Sequence, residues 1–457
     1  VDKSTLTRAN DMAEVVNKEE PVESRVVADS YSSPDKDWSS RTLILVIGGL
    51  LALALLLKPA FQTPRQGDHY IYLASHFARG GLSVDTLPDD YQDYVVWQGH
   101  KYLPLGLLPG VALIPALPFT GLGPSRVISW VGYLLTALNI WLFYRVLGLA
   151  GTATESRLWA LLLFFGGTVY LSAAAAGSSW FFAHILATTL LLWAISEALG
   201  KGRAWLVGLA LGLASATRIT LFFALPFFLW LFWKKHKERK VPGEASTASQ
   251  NVPDHTSPQY PPFSQNFTSR LMLLLLGLAG PLALLFAYNY ARFGNGFESG
   301  YGHAVLTYPP LAQALERGLF SLEHIPKNLF MLFLQGPLPY PNENAPVLQF
   351  PFLRPSMWGM GIFFTSPALL YAFRANLKRP LAQACLLGII SILVPLITYY
   401  GIGWVQFGYR YALDFMPLLL FLAALGLPRP MTRLAKALVL TSVAINVWGA
   451  IFLVTWV

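Results

Sequence analysis

Apolar runs long enough to cross a hydrocarbon core recur at 43–57, 127–147, 158–176, 180–199, 271–290, 381–400 and 434–457, separated by polar or proline-rich segments. About 20 apolar residues in helical conformation span a bilayer. Shorter apolar stretches fall between these runs. Together they predict an all-α polytopic membrane protein with about ten or eleven membrane-embedded helices. Residues 1–40 are polar and charged and precede the first run, which therefore reads as a retained helix behind a disordered cytoplasmic tail rather than as a cleavable signal.

Composition agrees with the pattern. The 457 residues are 54% hydrophobic and 12% charged, whereas a soluble domain carries about a quarter of charged residues. The single cysteine, Cys385, lies inside an apolar run, so neither a disulfide framework nor a cysteine metal site is expected. The net charge of +9 is that of a membrane protein with basic inner loops and needs no nucleic acid to explain it. With the N-terminus inside and the runs alternating, the inner segments hold 22 Lys/Arg against 14 Asp/Glu and the outer segments hold 10 of each. That asymmetry fixes the expected orientation: a multi-pass protein of the plasma (inner) membrane, N-terminus cytoplasmic.

The segment 203–233 is about 45 Å long as one helix, yet basic residues flank it at both ends. One crossing would put a basic cluster outside. A hairpin satisfies both ends: an arm over 204–217, a break at Arg218 and a second arm over 219–233. Arg218 then sits at a deep apex, where a charge requires water, an anionic ligand or a structural acid. Residues 234–270 are rich in Pro, Ser, Gln and Thr and read as a disordered cytoplasmic loop. Their Asn266-Phe267-Thr268 sequon is given no role, since it is expected on the cytoplasmic side.

Two outer loops, 58–125 and 292–355, are longer than a connection needs and are where chemistry is sought. The stretch 103–119 is apolar but broken by four prolines, as suits an interfacial or re-entrant helix. The prolines around Leu338 and Tyr340 speak against regular helix there too. After Gly67, a helical reading lines Asp68, Tyr72, Ser75 and Arg79 along one stripe, with Tyr70, Leu73, Ala74 and Phe77 opposite, which describes a helix lying in the interface. On spacing alone, Asp68 at its start suits a helix N-cap more than a general base whose charge the helix dipole supports. Asp85, Asp89, Asp90 and Asp93 do not reproduce a calcium loop and read as a solvated turn; no metal or other cofactor is expected.

Several segments in order resemble a known family. Gly67-Asp68-His69-Tyr70, Gly80-Gly81-Leu82-Ser83-Val84-Asp85 and Gly99-His100-Lys101-Tyr102-Leu103-Pro104 are similar to the first outer loop of the GT-C superfamily of polyprenyl-phosphate-sugar-dependent glycosyltransferases, among them bacterial protein mannosyltransferases and aminoarabinose transferases. The glycine-rich arm 208–218, Asn289-Tyr290-Ala291-Arg292-Phe293-Gly294, Phe364-Thr365-Ser366-Pro367 and Phe407-Gly408-Tyr409-Arg410-Tyr411 resemble later segments. The resemblance implies a GT-C-like domain over 41–457 and an inverting transfer of a hexose or pentose from a polyprenyl-phosphate sugar to a lipid, glycan or protein acceptor at the outer face. It assigns Asp68 as the base. Many members carry an Asp-Glu pair where this chain has Asp68-His69.

A phosphate leaving group calls for cations, and Arg218, Arg410 and Arg292 are the candidates. Candidate substrate-binding residues are His69, Tyr72, His184, Glu298, Tyr301, His303 and Tyr409. The partners implied are the lipid bilayer, the donor lipid and the acceptor. A transporter or lipid flippase remains the rival function, because buried charge and re-entrant helices occur there too, although no internal repeat is evident.

Overall fold

The computed structural model describes residues 48–49, 67–88, 91, 93–239, 266–304, 308–342 and 345–456. The expected tail, nearly all of the first apolar run and most of the 234–270 loop lie outside the described residues. The chain from residue 67 opens with α1 (His69–Phe77), the hairpin β1 (Val95–Trp97) and β2 (His100–Tyr102), and α2 (Leu107–Leu113), which tightens into a 3₁₀ stretch at Ile114–Leu122. Then follow α3 (Pro124–Leu149), α4 (Thr154–Gly166), α5 (Tyr170–Ala176), α6 (Ser179–Leu199) and α7 (Ala204–Thr217). A 3₁₀ turn, Ile219–Ala224, leads into α8 (Leu225–Arg239), and α9 is Phe267–Phe293. After α10 (Pro309–Glu316) and α11 (Ile325–Leu329) come β3 (Leu338–Pro341), β4 (Leu348–Arg354), β5 (Trp358–Met360), α12 (Ile362–Thr365), α13 (Pro380–Thr398), β6 (Gln406–Gly408), α14 (Met416–Gly426) and α15 (Arg433–Trp456). Sheet structure is confined to three small pairings, β1–β2, β3–β4 and the parallel β5–β6.

Five described helical segments are long and apolar enough to cross a membrane: Pro124–Leu149, Ser179–Leu199, Phe267–Phe293, Pro380–Thr398 and Arg433–Leu453. The pair α4 and α5, bent by 53°, makes a sixth. Three shorter apolar helical stretches, Leu107–Leu122, Ala204–Thr217 and Met416–Gly426, fall short of that length. The expectation of ten or eleven embedded helices includes such part-way helices, and backbone breaks are what shorten them. Pro417 at the start of α14 and the extended Arg218 at the end of α7 are two such breaks.

Contacts between residues far apart in sequence fix the course of α7, α8 and α9. Lys235 Nζ donates to the Ala198 carbonyl at 2.9 Å, which brings the far end of α8 back to the turn between α6 and α7. The 203–233 segment therefore doubles back, breaking where the charge pattern places the break. Glycines 208, 212 and 277 let α7 and α9 meet backbone to backbone. A Cβ on Gly208 would fall 1.9 Å from the Leu274 carbonyl oxygen, and one on Gly277 would fall 2.0 Å from that of Trp205. Helices in lipid associate through such small residues because apolar side chains gain nothing by leaving hydrocarbon for each other. The successive contacts, Gly208 on Leu274 and Gly212 on Leu278 and Pro281, show that α7 and α9 run parallel. Leu103 and Ser125, which bracket the 103–122 stretch, bond Arg292 and Asp68 at one and the same end of the bundle, so this stretch does not cross it.

At the opposite end the basic residues gather. Arg379 and Arg157 repel the exposed Arg429, and Lys436 Nζ bonds Glu155 at 2.9 Å. Arg203 makes a two-pronged pair with Glu197, 2.9 Å on each side. The bundle thus has a basic end and, opposite it, an end carrying α1 and the two long loops.

The α7–α9 contact is sensitive to a single added side chain. Gly277→Val should lower the melting temperature in detergent through overpacking of about 1–3 kcal/mol or more. Gly280→Ala, on the same helix with nothing within 4 Å of the added carbon, should leave it unchanged. Equal behaviour of the two variants would show that close backbone approach does not hold this pair together.

Candidate active site

The start of α1 is pinned to the start of α6. Ser179 N–H donates to the Gly67 carbonyl at 2.9 Å, and Tyr70 N–H donates to Ser179 Oγ at 3.1 Å. Asp68 occupies the N-cap position but makes no side-chain cap bond. Its Oδ1 instead accepts from Ser125 Oγ at 2.7 Å, while its backbone N–H donates to the Tyr91 hydroxyl at 3.0 Å. The capping role that the spacing suits is thus unfilled, and the carboxylate is free for other work. Burial raises its pKa above the ordinary 3.8, and the Ser125 bond offsets only part of that rise. Part of the expected stripe forms: Tyr72 and Ser75 are half-exposed on α1 and Tyr70, Leu73 and Ala74 are buried, whereas the helix ends at Phe77 and Arg79 is exposed in the turn that follows.

A cavity of about 650 Å³ opens beside this helix start, walled by Tyr70, Trp180, the end of α7, α9, α13 and the 399–411 segment. Arg218 stands in its wall where α7 stops in an extended conformation. The charge is paired. Arg218 Nε donates to Asp414 Oδ1 at 2.6 Å, and Thr220 Oγ1 donates to Oδ2 at 2.5 Å. His184 Nδ1 lies 3.1 Å from the same Oδ1. A carboxylate accepting from Arg218 and Thr220 has only acceptor capacity to offer, so His184 Nδ1 carries a proton and donates to it. Its Nε2 finds no hydrogen-bond partner among the described residues.

Arg292 and Arg410 stand in the same wall without such a partner. Arg292 donates to the Leu103 carbonyl and to Asn289 Oδ1, each at 2.8 Å, and its guanidinium stacks 3.8 Å from the Tyr288 ring centre. Arg410 donates to the Trp404 carbonyl at 2.9 Å and lies over the Phe181 and Tyr411 rings. They are only 4% and 9% exposed. Among the described residues neither forms an ion pair with a carboxylate. Carbonyls and ring faces relieve a buried cation in part, and an anion is what completes it.

The remaining candidates divide by position. Tyr301 and His184 line the cavity, and Tyr409 packs behind it with its ring edge on Tyr411. His69 is fully buried between the rings of Tyr91 and Trp180, and Tyr72 abuts Tyr91. Glu298 accepts from Gly300 N–H, and His303 stacks on Trp97 at 4.3 Å, away from the cavity wall. Asp93 takes a hydrogen bond from Trp180 Nε1 at 2.7 Å. Burial acts to raise the Asp85 pKa, but hydrogen bonds from Ser83, His100 and the Lys101 amide lower it to about 2, clamping the loop onto β2. Among the described residues no group of three or more His, Cys, Asp or Glu side chains gathers as for a metal ion.

The chain is similar to solved structures of an archaeal oligosaccharyltransferase. The Archaeoglobus fulgidus enzyme tethered to an acceptor peptide aligns with a TM-score of 0.44 at 13% identity, over 92% of this chain and 56% of that one. Archaeoglobus fulgidus AglB in complex with an inhibitory peptide and a dolichol-phosphate gives 0.43 at 14% identity, over 93% and 56%. The chain therefore spans little more than half the length of these proteins. No family model matches the sequence, and no curated protein is similar to it.

The residue the sequence did not single out is Asp414. Its signal was present: an acid heading the apolar segment 415–426 is as costly in a membrane as Arg218 and so calls for a partner. Asp414→Ala should destabilise the protein by about 3–5 kcal/mol, because it leaves a mostly buried guanidinium uncompensated. Adding Arg218→Met should restore much of that loss in thermal unfolding; a double variant no more stable than Asp414→Ala would contradict the pairing argument.

Proposed function

We propose that this protein is an integral membrane glycosyltransferase of the GT-C type. It transfers a sugar from a polyprenyl-phosphate donor to an acceptor, with inversion and with Asp68 as base. One observation carries this: the cavity pairs two buried guanidiniums, neither in an ion pair with a carboxylate among the described residues, with an apolar flank open to the side. Ile219 and Phe223 at the broken apex, Leu285 and Phe286 on α9, and Val394 and Pro395 on α13 belong to the wall, and Ile219, Phe223 and Val394 are also exposed. An amphiphile with an anionic head and a hydrocarbon tail suits both features. The ordered resemblance of the sequence segments to GT-C transferases supports the same conclusion.

In this scheme Arg292 and Arg410 hold the phosphate and stabilise the charge that collects on it as the bond to the anomeric carbon breaks. The electron pair of that bond leaves with the phosphate oxygen. The acceptor heteroatom bonds the anomeric carbon from the opposite face and loses its proton to the Asp68 carboxylate. Asp68 is two residues from Tyr70 of the cavity wall, and burial shifts its pKa toward the range in which a base works at neutral pH. Arg218, neutralised by Asp414, shapes the wall and adds a weaker field. Basic residues at the other end would place this site at the outer face of the plasma membrane.

The test is turnover by the full chain in liposomes supplied with a panel of polyprenyl-phosphate sugars. Asp68→Asn should lower kcat by about 10²-fold or more while donor binding persists. The wild-type rate should fall as pH drops through a pKa above 3.8, since the base must be ionised, and that acid limb should vanish in the residual activity of the variant. Full activity of Asp68→Asn removes Asp68 from the mechanism. Donor movement between leaflets without bond cleavage would identify a flippase instead.

A further inference from the structure

The strands β3 and β4 pair only with each other among the described residues, and a two-stranded hairpin is marginal in water without something against its face. Along β4 the side chains of Leu348, Phe350, Phe352 and Leu353 are 46%, 83%, 54% and 45% exposed, and the Phe350 and Phe352 rings meet edge to face at 6.0 Å. Gln349 and Pro351 between them are less exposed. Contiguous large apolar side chains in the open mark a surface that something covers.

The flanking chain bears on what covers it. Before β3, the exposed Phe330 and Leu334 sit in a helical stretch whose Phe333 stacks on Phe363 at 5.9 Å, and Gly336 lies against the Phe364 ring. Exposed Phe364, Leu370 and Phe373 continue this apolar surface down the flank of the bundle. Asn328 donates to the Ile397 and Tyr399 carbonyls, which ties the same stretch to the cavity end of α13. The hairpin face thus extends the lipid-facing belt at the end of the bundle that holds the cavity. Its depth is limited, because open strand edges carry polar groups that hydrocarbon cannot satisfy. Pro339, Pro341 and Pro351 each remove an N–H from those edges, which suits the headgroup boundary better than either bulk water or the bilayer core.

We infer that the β3–β4 hairpin is a membrane anchor that dips Leu348, Phe350 and Phe352 into the headgroup–acyl boundary of the leaflet at the cavity end. The partner is a lipid surface, and the inference does not depend on the transfer reaction. It is tested with the full chain in phosphatidylethanolamine/phosphatidylglycerol nanodiscs carrying a nitroxide on Gln349→Cys, Phe350→Cys or Phe352→Cys. Background labelling of the buried Cys385 is measured on the unsubstituted protein. Power saturation should give an oxygen-to-nickel-chelate accessibility ratio at 350 and 352 about threefold or more above that at 349. Equal ratios at the three positions would place the face in water. Low accessibility to both reagents at 350 and 352 would show protein cover. Either result overturns the inference.

Discussion

A guanidinium keeps its charge inside an apolar wall only if something negative stands beside it, and the architecture around the cavity turns on how three arginines meet that condition. Arg218 meets it internally. Asp414 accepts from it at 2.6 Å and from Thr220, and holds His184 on the same oxygen, so one buried carboxylate joins the apex of the broken helix to α6 and to the segment before α14. Arg292 and Arg410 meet it only in part, through carbonyls and ring faces. The difference underlies the proposed division of roles, in which the compensated charge organises the wall and the two others bind an anion.

Close helix packing makes this possible. Gly208, Gly212 and Gly277 bring α7 against α9 with no side chain between the backbones, and a helix that ends early at Arg218 leaves space above its end. Leu107, Ala216, Leu285 and Tyr288 then form an apolar cluster between α2, α7 and α9, and the loop before α2 lies against the Thr217 carbonyl at Gly106. The cavity is what remains when a short helix is packed among long ones. Its flank follows from the same break, since Ile219 and Phe223 belong to the turn that replaces helix there.

Features of the site set by local pattern were legible in the sequence. Basic residues at both ends of one long apolar segment required a reversal at Arg218, and the spacing from Asp68 to Arg79 required an amphipathic helix. Features set by distant partners were not. Asp414 lies 196 residues from Arg218, and Ser125 lies 57 from Asp68; no periodicity announces either bond. Spacing favoured Asp68 as a helix cap, and only the Ser125 contact shows its side chain turned elsewhere. Nor does an apolar run show where a bend such as the 53° angle between α4 and α5 divides it. The prolines near Leu338 rightly spoke against helix, yet the pairing of β3 with β4 is a register no proline count supplies.

The central claim is that Arg292 and Arg410 are the phosphate-binding pair of an amphiphile site. Native mass spectrometry of the full chain, comparing a polyprenyl phosphate with the uncharged polyprenol of the same length, tests it most directly. The account predicts a preference of about tenfold or more for the phosphate lipid, lost in Arg292→Gln/Arg410→Gln while polyprenol binding persists. Equal binding of the two lipids by the unsubstituted protein, or an undiminished preference in the double variant, would contradict it.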